Sequence, residues 1–260
     1  MSEHAIVTGA SSGIGWALAR ELLRKGYRVT LAARRVSLLR KLASEFPDQC
    51  FVDEVDLGDP ANAEGLIERA CAALGPVDLL VNNAGVQIVG ASDQTDFARG
   101  EQLLRLNVHT PLRLTTLVLP RMRERKRGTI VDIASMAALA PTPGMLFYNA
   151  SKGALAAASE GLRGEARKYG VHIVTVYPGP VTSAMESAAR EAYTPSKVVD
   201  RTPTGTAEEL ARLVLRAVVN KRPRVIYPKV YGLVRHFPNL TRWLTDALTP
   251  DVKRLPEREP

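Results

Sequence analysis

Short β-branched runs alternate with longer helical stretches along most of this chain, and that alternation constrains the fold more than any single motif. Ala5 to Thr8 reads as a strand, Gly13 to Lys25 as a helix, Tyr27 to Ala32 as a strand and Val36 to Phe46 as a helix. The cycle repeats with a strand at Phe51 to Val55, a helix at Pro60 to Leu74, a strand at Val77 to Val81 and one long or broken helical region from Asp96 to Arg125. Thr129 to Ile133 follows as a strand, Tyr148 to Tyr169 as an Ala-rich helix and Val171 to Tyr177 as a strand. After a Pro-containing segment, 178–205, come a helix at Ala207 to Asn220 and a last strand at Arg224 to Tyr227. Repeated βα units of this length predict an α/β fold: a doubly wound parallel sheet with helices on both faces. No internal repeat or linker interrupts the pattern, and 260 residues are enough for one well-buried core. One domain over residues 1–260 is therefore expected.

Composition removes several function classes. With 45% hydrophobic and 24% charged residues the chain is not of the disordered type. Cys50 and Cys71 make no disulfide framework, and their place in a predicted strand and a predicted helix suits reduced, buried thiols and a cytoplasmic protein. Met1-Ser2-Glu3-His4 leads straight into a strand without a signal-peptide pattern, and no run approaches the ~18 apolar residues of a membrane span. His4, His109, His172 and His236 are scattered without metal-ligand spacing, so no metal site is expected. Neither a C-x-x-C pair nor a G-x-S-x-G nucleophile elbow occurs. The net charge of +8 is uneven: residues 216–260 hold ten Lys or Arg against four Asp or Glu. A second basic cluster, Arg121 to Arg127, ends a predicted helix, where cations complement the helix dipole. It carries no interleaved stacking aromatics, and no nucleic-acid partner is expected.

Three constellations carry chemistry. Thr8-Gly9-Ala-Ser11-Ser12-Gly13-Ile14-Gly15 follows the first strand and opens a helix. Glycines permit a tight turn and close backbone approach, and a helix N-terminus offers free N–H groups, so this loop suits a pyrophosphate. Its G-x-x-x-G-x-G spacing differs from the G-x-G-x-x-G fingerprint, and a plain strand-to-helix turn is the competing reading. The second strand ends in Arg34 and Arg35, where an acidic residue would grip the ribose hydroxyl of NAD. Arginine there favours the 2′-phosphate of NADP(H), with Arg34 the stronger candidate; Arg35 equally suits a solvated charge at a helix entrance. Finally, Tyr148 and Lys152 stand four apart on one helix face, thirteen residues beyond Ser135. A cation beside a phenol stabilises the phenolate and lowers its pKa, which makes the tyrosine a usable acid or base. The pair alone occurs in many ordinary helices, so its surroundings decide.

Taken together, the motifs resemble the short-chain dehydrogenase/reductase family over residues 4 to about 185. They are Thr8-Gly9-x-x-x-Gly13-x-Gly15, Asp56 after the third strand, Asn82-Asn83-Ala84-Gly85 after the fourth, Asn107, Ser135, Tyr148-x-x-x-Lys152 and Pro178-Gly179. The resemblance implies a Rossmann-type domain that binds a nicotinamide dinucleotide and assembles as a dimer or tetramer. It implies cofactor contacts from Gly9, Ser11, Ser12, Gly13, Ile14 and Gly15, from Asp56 and Leu57 beside the adenine, and from Asn83, Ala84 and Gly85. Pro178, Gly179, Val181 and Thr182 complete that set, with Thr182 at the nicotinamide carboxamide. In the reaction so implied, Ser135 binds a substrate carbonyl and Tyr148 exchanges the proton. Lys152 holds the nicotinamide ribose and lowers the tyrosine pKa, and Asn107 anchors a water at a helix kink.

Substrate choice is expected in the loop of about 180–206 and around Ser135 to Phe147, with Met136, Leu139, Met145, Leu146, Met185 and Tyr193 as an apolar lining. The expected activity is NADP(H)-dependent interconversion of a ketone or aldehyde and an alcohol on an apolar molecule, with NAD(H) as the alternative cofactor. The alternative function is a non-catalytic dinucleotide sensor or scaffold using its basic surface. A C-terminal extension, about 228–260, mixes cations with Phe237, Trp243 and leucines. Two readings fit it: peripheral contact with an anionic membrane, or packing at the substrate pocket or a subunit interface.

Overall fold

A computed structural model describes residues 2–197 and 201–254. Seven parallel strands form one sheet in the order β3-β2-β1-β4-β5-β6-β7. They are β1 His4–Thr8, β2 Arg28–Ala33, β3 Cys50–Glu54, β4 Leu79–Asn82, β5 Gly128–Ile133, β6 Val171–Pro178 and β7 Arg224–Tyr227. Nine α-helices are present among the described residues: α1 Gly13–Arg24, α2 Val36–Ser44, α3 Asn62–Leu74, α4 Phe97–Leu104, α5 Thr110–Glu124, α6 Leu146–Ala166, α7 Ala184–Glu191, α8 Ala207–Val219 and α9 Pro238–Leu248. The order reverses between β1 and β4, which opens a crevice at the strand carboxyl ends, the place where such sheets take ligands.

The central strands are buried on both faces and so read as continuous apolar runs. Ala5 and Val7 of β1 pack with Leu18 and Leu22 of α1 and Leu210 and Val214 of α8. Ile6 points the other way, into a cluster with Leu66 of α3, Leu114 and Val118 of α5 and Ile173 of β6. Buried polar side chains in this core are mostly hydrogen-bonded, although Asn82 Oδ1 has no partner. Fully buried His4 bonds the Gly75 carbonyl at 2.8 Å and Thr30 Oγ1 at 2.9 Å. The basic cluster at the end of α5 is structural: Arg125 donates to the Val77 carbonyl, Arg127 pairs with Asp78 at 2.8 Å, and Arg123 lies 3.9 Å over the Tyr169 ring.

The structure bears out one expectation in finer detail and revises others. The region from Asp96 to Arg125 is broken by a π turn, Arg105–His109, which splits α4 from α5 at Asn107. Helix α6 begins two residues before Tyr148, and Gly170 at φ +74° turns the chain after it. The segment 178–205 holds helix α7, capped by Ser183 Oγ accepting from Glu186 N at 3.2 Å. Ser183-x-x-Glu186 is the spacing of a capping box and could have revealed it. Cys50 and Cys71 are free but only half-buried, each packed at the margin of a core cluster. The parts of the substrate loop at 198–200 and of the extension at 255–260 lie outside the described residues.

Candidate active site

The phosphate loop is built by close packing between the ends of β1 and β4. Gly9 adopts φ +67°, and a Cβ there would lie 2.9 Å from Ala84 Cα. A Cβ on Gly15 would collide with the Asn83 amide and the Gly9 carbonyl, so helix α1 can start this close to the loop only with glycine. Asn83 Nδ2 donates to the Thr8 carbonyl at 2.8 Å, while Asn83 N and Ala84 N donate to Thr8 Oγ1 at 2.9 and 3.0 Å. Ser12, at the N-cap of α1, makes no side-chain cap bond, which leaves the first amides of the helix for another acceptor. Arg35 reaches over the same loop. Its Nη2 donates to Ser11 Oγ at 3.0 Å and Ser12 Oγ at 2.6 Å. Arg34 lines the same crevice. The guanidinium bonded to the loop is thus Arg35, which stays exposed while bonding both serine hydroxyls.

A cleft of about 900 Å³ runs from this loop across the carboxyl ends of the strands. It is lined by Gly9, Ser11, Ser12, Gly13, Ile14, Arg34 and Arg35, then by Asp56, Leu57, Asn83, Ala84 and Gly85. Ser135, Tyr148, Lys152, Pro178, Gly179, Val181 and Thr182 complete its far half. Gly15 and Asn107 stand behind the wall. Met136, Met145 and Met185 line the cleft, but Leu139, Leu146 and Tyr193 do not. Leu139 packs against the Tyr177 cluster, and Leu146 is 55% exposed at the first turn of α6. Tyr193 turns away because its hydroxyl donates to the Pro143 carbonyl at 2.8 Å. Trp16, Gln87, Leu106 and Glu186 are wall residues that sequence reasoning missed. Of these, only Glu186 carried a local signal, the capping-box spacing.

Four polar residues converge at the far half. Ser135 caps a short 3-10 turn, its Oγ accepting from Ala137 N at 3.1 Å, and it lines the cleft together with Tyr148. Lys152 is buried; its Nζ donates to the Ile133 carbonyl at 2.8 Å and lies 5.8 Å from the centre of the Tyr148 ring. Asn107, fully buried in the π turn, accepts from Val86 N and donates to Val86 O, both at 2.9 Å, and donates to Ser151 Oγ at 3.1 Å. Gly85 threads between them: a Cβ there would sit 3.1 Å from Asn107 Oδ1 and 3.6 Å from Lys152 Nζ.

Electrostatics at this point differ from the expected pattern. Burial pushes the Tyr148 phenol above its ordinary range; the Ser135 hydrogen bond opposes this and the Glu186 carboxylate adds to it. Desolvation of the phenolate, and not a neighbouring cation, sets the net direction here. Burial likewise brings the Lys152 ammonium down to about 8, against the pull of Asp132. Asp132 is itself raised by burial, with hydrogen bonds from Asn82 and Ser159 opposing. Among the described residues no group of three or more His, Cys, Asp or Glu could hold a metal.

A doubly wound sheet, a glycine loop at its switch point and a Ser-Tyr-Lys group across the same cleft define a dinucleotide-dependent oxidoreductase fold. The chain belongs to the short-chain dehydrogenase family, whose profile matches residues 3–194. A fatty acyl-CoA reductase of Acinetobacter baylyi is 32% identical over 256 residues, covering 96% of this chain and 81% of that one. A short-chain dehydrogenase of Streptomyces avermitilis superposes with a TM-score of 0.82 at 28% identity, over 94% of this chain and 95% of that one. A short-chain dehydrogenase of Sphingobium yanoikuyae, solved in complex with NADPH, gives a TM-score of 0.80 at 26% identity over 99% of both chains.

Proposed function

We propose that this chain is an NADP(H)-dependent reductase or dehydrogenase that interconverts a carbonyl and an alcohol on an apolar, long-chain substrate. The observation that carries the reading is the shared cleft: Ser135, Tyr148 and Lys152 face the same space as the glycine loop and Arg35. The residues fit a dinucleotide. Gly9 and Gly15 leave no room for a Cβ, the α1 amides lack a side-chain cap, and Arg35 and Arg34 offer forked donors for a 2′-phosphate. The bound nicotinamide supplies the hydride that reduces the carbonyl carbon.

The chain's own residues do the rest. Ser135 donates a hydrogen bond to the substrate oxygen and orients it. Tyr148 gives its proton to that oxygen as the carbonyl is reduced, or removes it in the reverse direction. Lys152 stabilises the phenolate that remains, and Asn107 holds the Val86 to Gly85 backbone against which the lysine packs. Met136, Met145 and Met185 supply adaptable apolar surface to an acyl chain. The fatty acyl-CoA reductase among the relatives supports a long-chain carbonyl, and the NADPH complex of the Sphingobium protein supports the cofactor.

The same reading has one catalytic domain with its substrate loop at about 180–206, a cytoplasmic homodimer or homotetramer, and peripheral membrane contact by the C-terminal extension. Cofactor consumption with NADPH and NADH across a panel of carbonyls tests it. Preferential NADPH oxidation with apolar ketones or aldehydes is the expected result; turnover confined to small hydrophilic carbonyls, or preference for NADH, contradicts it.

A further inference from the structure

Helix α9 is turned the opposite way from a helix that packs on its own protein. Leu240, Trp243, Leu244 and Leu248 fall within an arc of roughly 140° at about 100° per residue, the apolar stripe that normally faces a core. Here the stripe faces outward, with Leu240 and Trp243 exposed by 54% and 64%. The opposite side faces the protein: Arg242 donates to the Pro141 carbonyl at 2.7 Å and pairs with Asp246 at 2.7 Å. No residue of α9 is buried. In the 3-10 stretch before it, Lys229–Arg235, and at Phe237, the side chains of Val230, Leu233 and Phe237 are exposed as well. An isolated helix of this length is marginal in water, so a partner surface must cover the stripe.

Charge selects between occupants. Exposed Lys229 and Arg235 adjoin the stripe on the turn before α9, whereas the one acid of that stretch, Asp246, is paired with Arg242 on the side turned to the protein. Two copies meeting through this face would bring like charges together, which costs affinity. An anionic lipid surface accepts the apolar side chains and the cations at once.

The position of the extension adds a purpose. Tyr231 packs against Gly179 of the cleft wall, and its hydroxyl donates to the Pro203 carbonyl at 3.1 Å. Pro141, the anchor of Arg242, adjoins Thr142 of the same wall. Beyond α9 the chain pairs with the end of the α7 segment: Thr194 N donates to Asp251 O at 2.9 Å, Lys253 N donates to Ala192 O at 2.8 Å, and Arg254 reaches Asp93 at 3.1 Å. The extension thus brackets the substrate half of the cleft and holds the segment carrying Met185.

We propose that the outward stripe of α9 and the turn before it seats on an anionic bilayer, so that the substrate half of the cleft opens toward the lipid that supplies an apolar carbonyl. The entry step rests on the function proposed above; the docking does not.

Flotation with phosphatidylglycerol-containing and pure phosphatidylcholine vesicles tests the docking. The full chain is expected to float with the anionic vesicles and to be released as salt rises from about 50 to about 500 mM. The variant L240E/W243E/L244E is expected to lose at least about tenfold in bound fraction with unchanged circular dichroism. Its NADPH oxidation with cyclohexanone in solution is expected to match that of the parent, while its rate with 2-dodecanone presented in vesicles falls. Failure of the parent to bind anionic vesicles at low salt, equal binding to neutral vesicles, or a variant that binds as well as the parent overturns the docking. A dimer in sedimentation that the variant converts to monomer, without vesicle binding, assigns the stripe to a second copy instead. Vesicle binding with no turnover of either ketone leaves the docking standing and refutes the proposed activity. Equal turnover of vesicle-borne 2-dodecanone by parent and variant refutes the entry step.

Discussion

Lys152 Nζ donates to the Ile133 carbonyl across 2.8 Å, which fixes the ammonium at the carboxyl end of β5 with buried Asp132 on the same strand. A cation held this deep loses most of its hydration, and burial lowers its pKa from 10.5 to about 8. Between those values the unfolded chain binds more protons than the folded protein, so the native state gains stability as pH rises through the window. Relative to Lys152→Met, the parent should gain up to about 3 kcal/mol between about pH 8 and pH 10.5 and gain nothing below pH 8. Urea melts of both proteins across that range check this; a difference independent of pH contradicts it.

Asn107 is expected to act as a staple for the loop after β4. It satisfies both backbone groups of Val86 and also bonds Ser151. Asn107→Ala strands these buried groups and should cost at least about 2 kcal/mol in a denaturant melt. The Val86 amide should exchange with deuterium much faster than in the parent. Parent-like exchange at Val86 would show that another group holds the loop.

How much of this was legible in the sequence follows from what each signal depends on. The βα alternation located every strand: the central ones read as apolar runs because both faces are buried, and the edge strands β3 and β7, only partly buried, were found by their place in the alternation. The glycine loop was legible since close approach admits no Cβ at Gly9 or Gly15. The break at Asn107 was foreseen as a kink, but its π geometry arises from bonds to Val86 and Ser151, distant in sequence. The role of Arg35 depended on two hydroxyls more than twenty residues away. Tyr193 looked like pocket lining until its hydroxyl was seen bonded to Pro143. The direction of the Tyr148 pKa was not legible, because spacing reports a neighbouring charge and says nothing of burial depth.

Cofactor choice should rest more on Arg35 than on Arg34. Losing charge-assisted bonds to a phosphate costs about 1.5–3 kcal/mol, so Arg35→Ser should weaken NADPH binding about 10- to 100-fold and leave NADH binding nearly unchanged. Arg34→Ser should do less. Fluorescence titration with both cofactors measures each effect; an equal loss for NADH and NADPH would remove the phosphate role.

Glu160 ties α6 to the sheet edge. It receives Arg224 of β7, Arg163 at 2.7 Å and the Tyr177 hydroxyl at 2.9 Å. Burial would raise its pKa, but these donors prevail and hold it at about 2. A depressed carboxylate stabilises the fold above its ordinary value of 4.5 and loses that contribution as pH falls through about 2. Glu160→Gln should therefore cost about 3 kcal/mol at neutral pH, with the deficit shrinking below about pH 4.5. Thermal melts at neutral and acid pH give the comparison, and a deficit that persists at about pH 2 contradicts it.

The central claim is that the Tyr148 phenol transfers the proton while the rest of the cleft binds the cofactor. Tyr148→Phe removes only that hydroxyl. With the best carbonyl from the panel, kcat should fall by about a hundred- to ten-thousand-fold while the NADPH dissociation constant stays close to that of the parent. Turnover close to the parent rate in Tyr148→Phe would contradict the account.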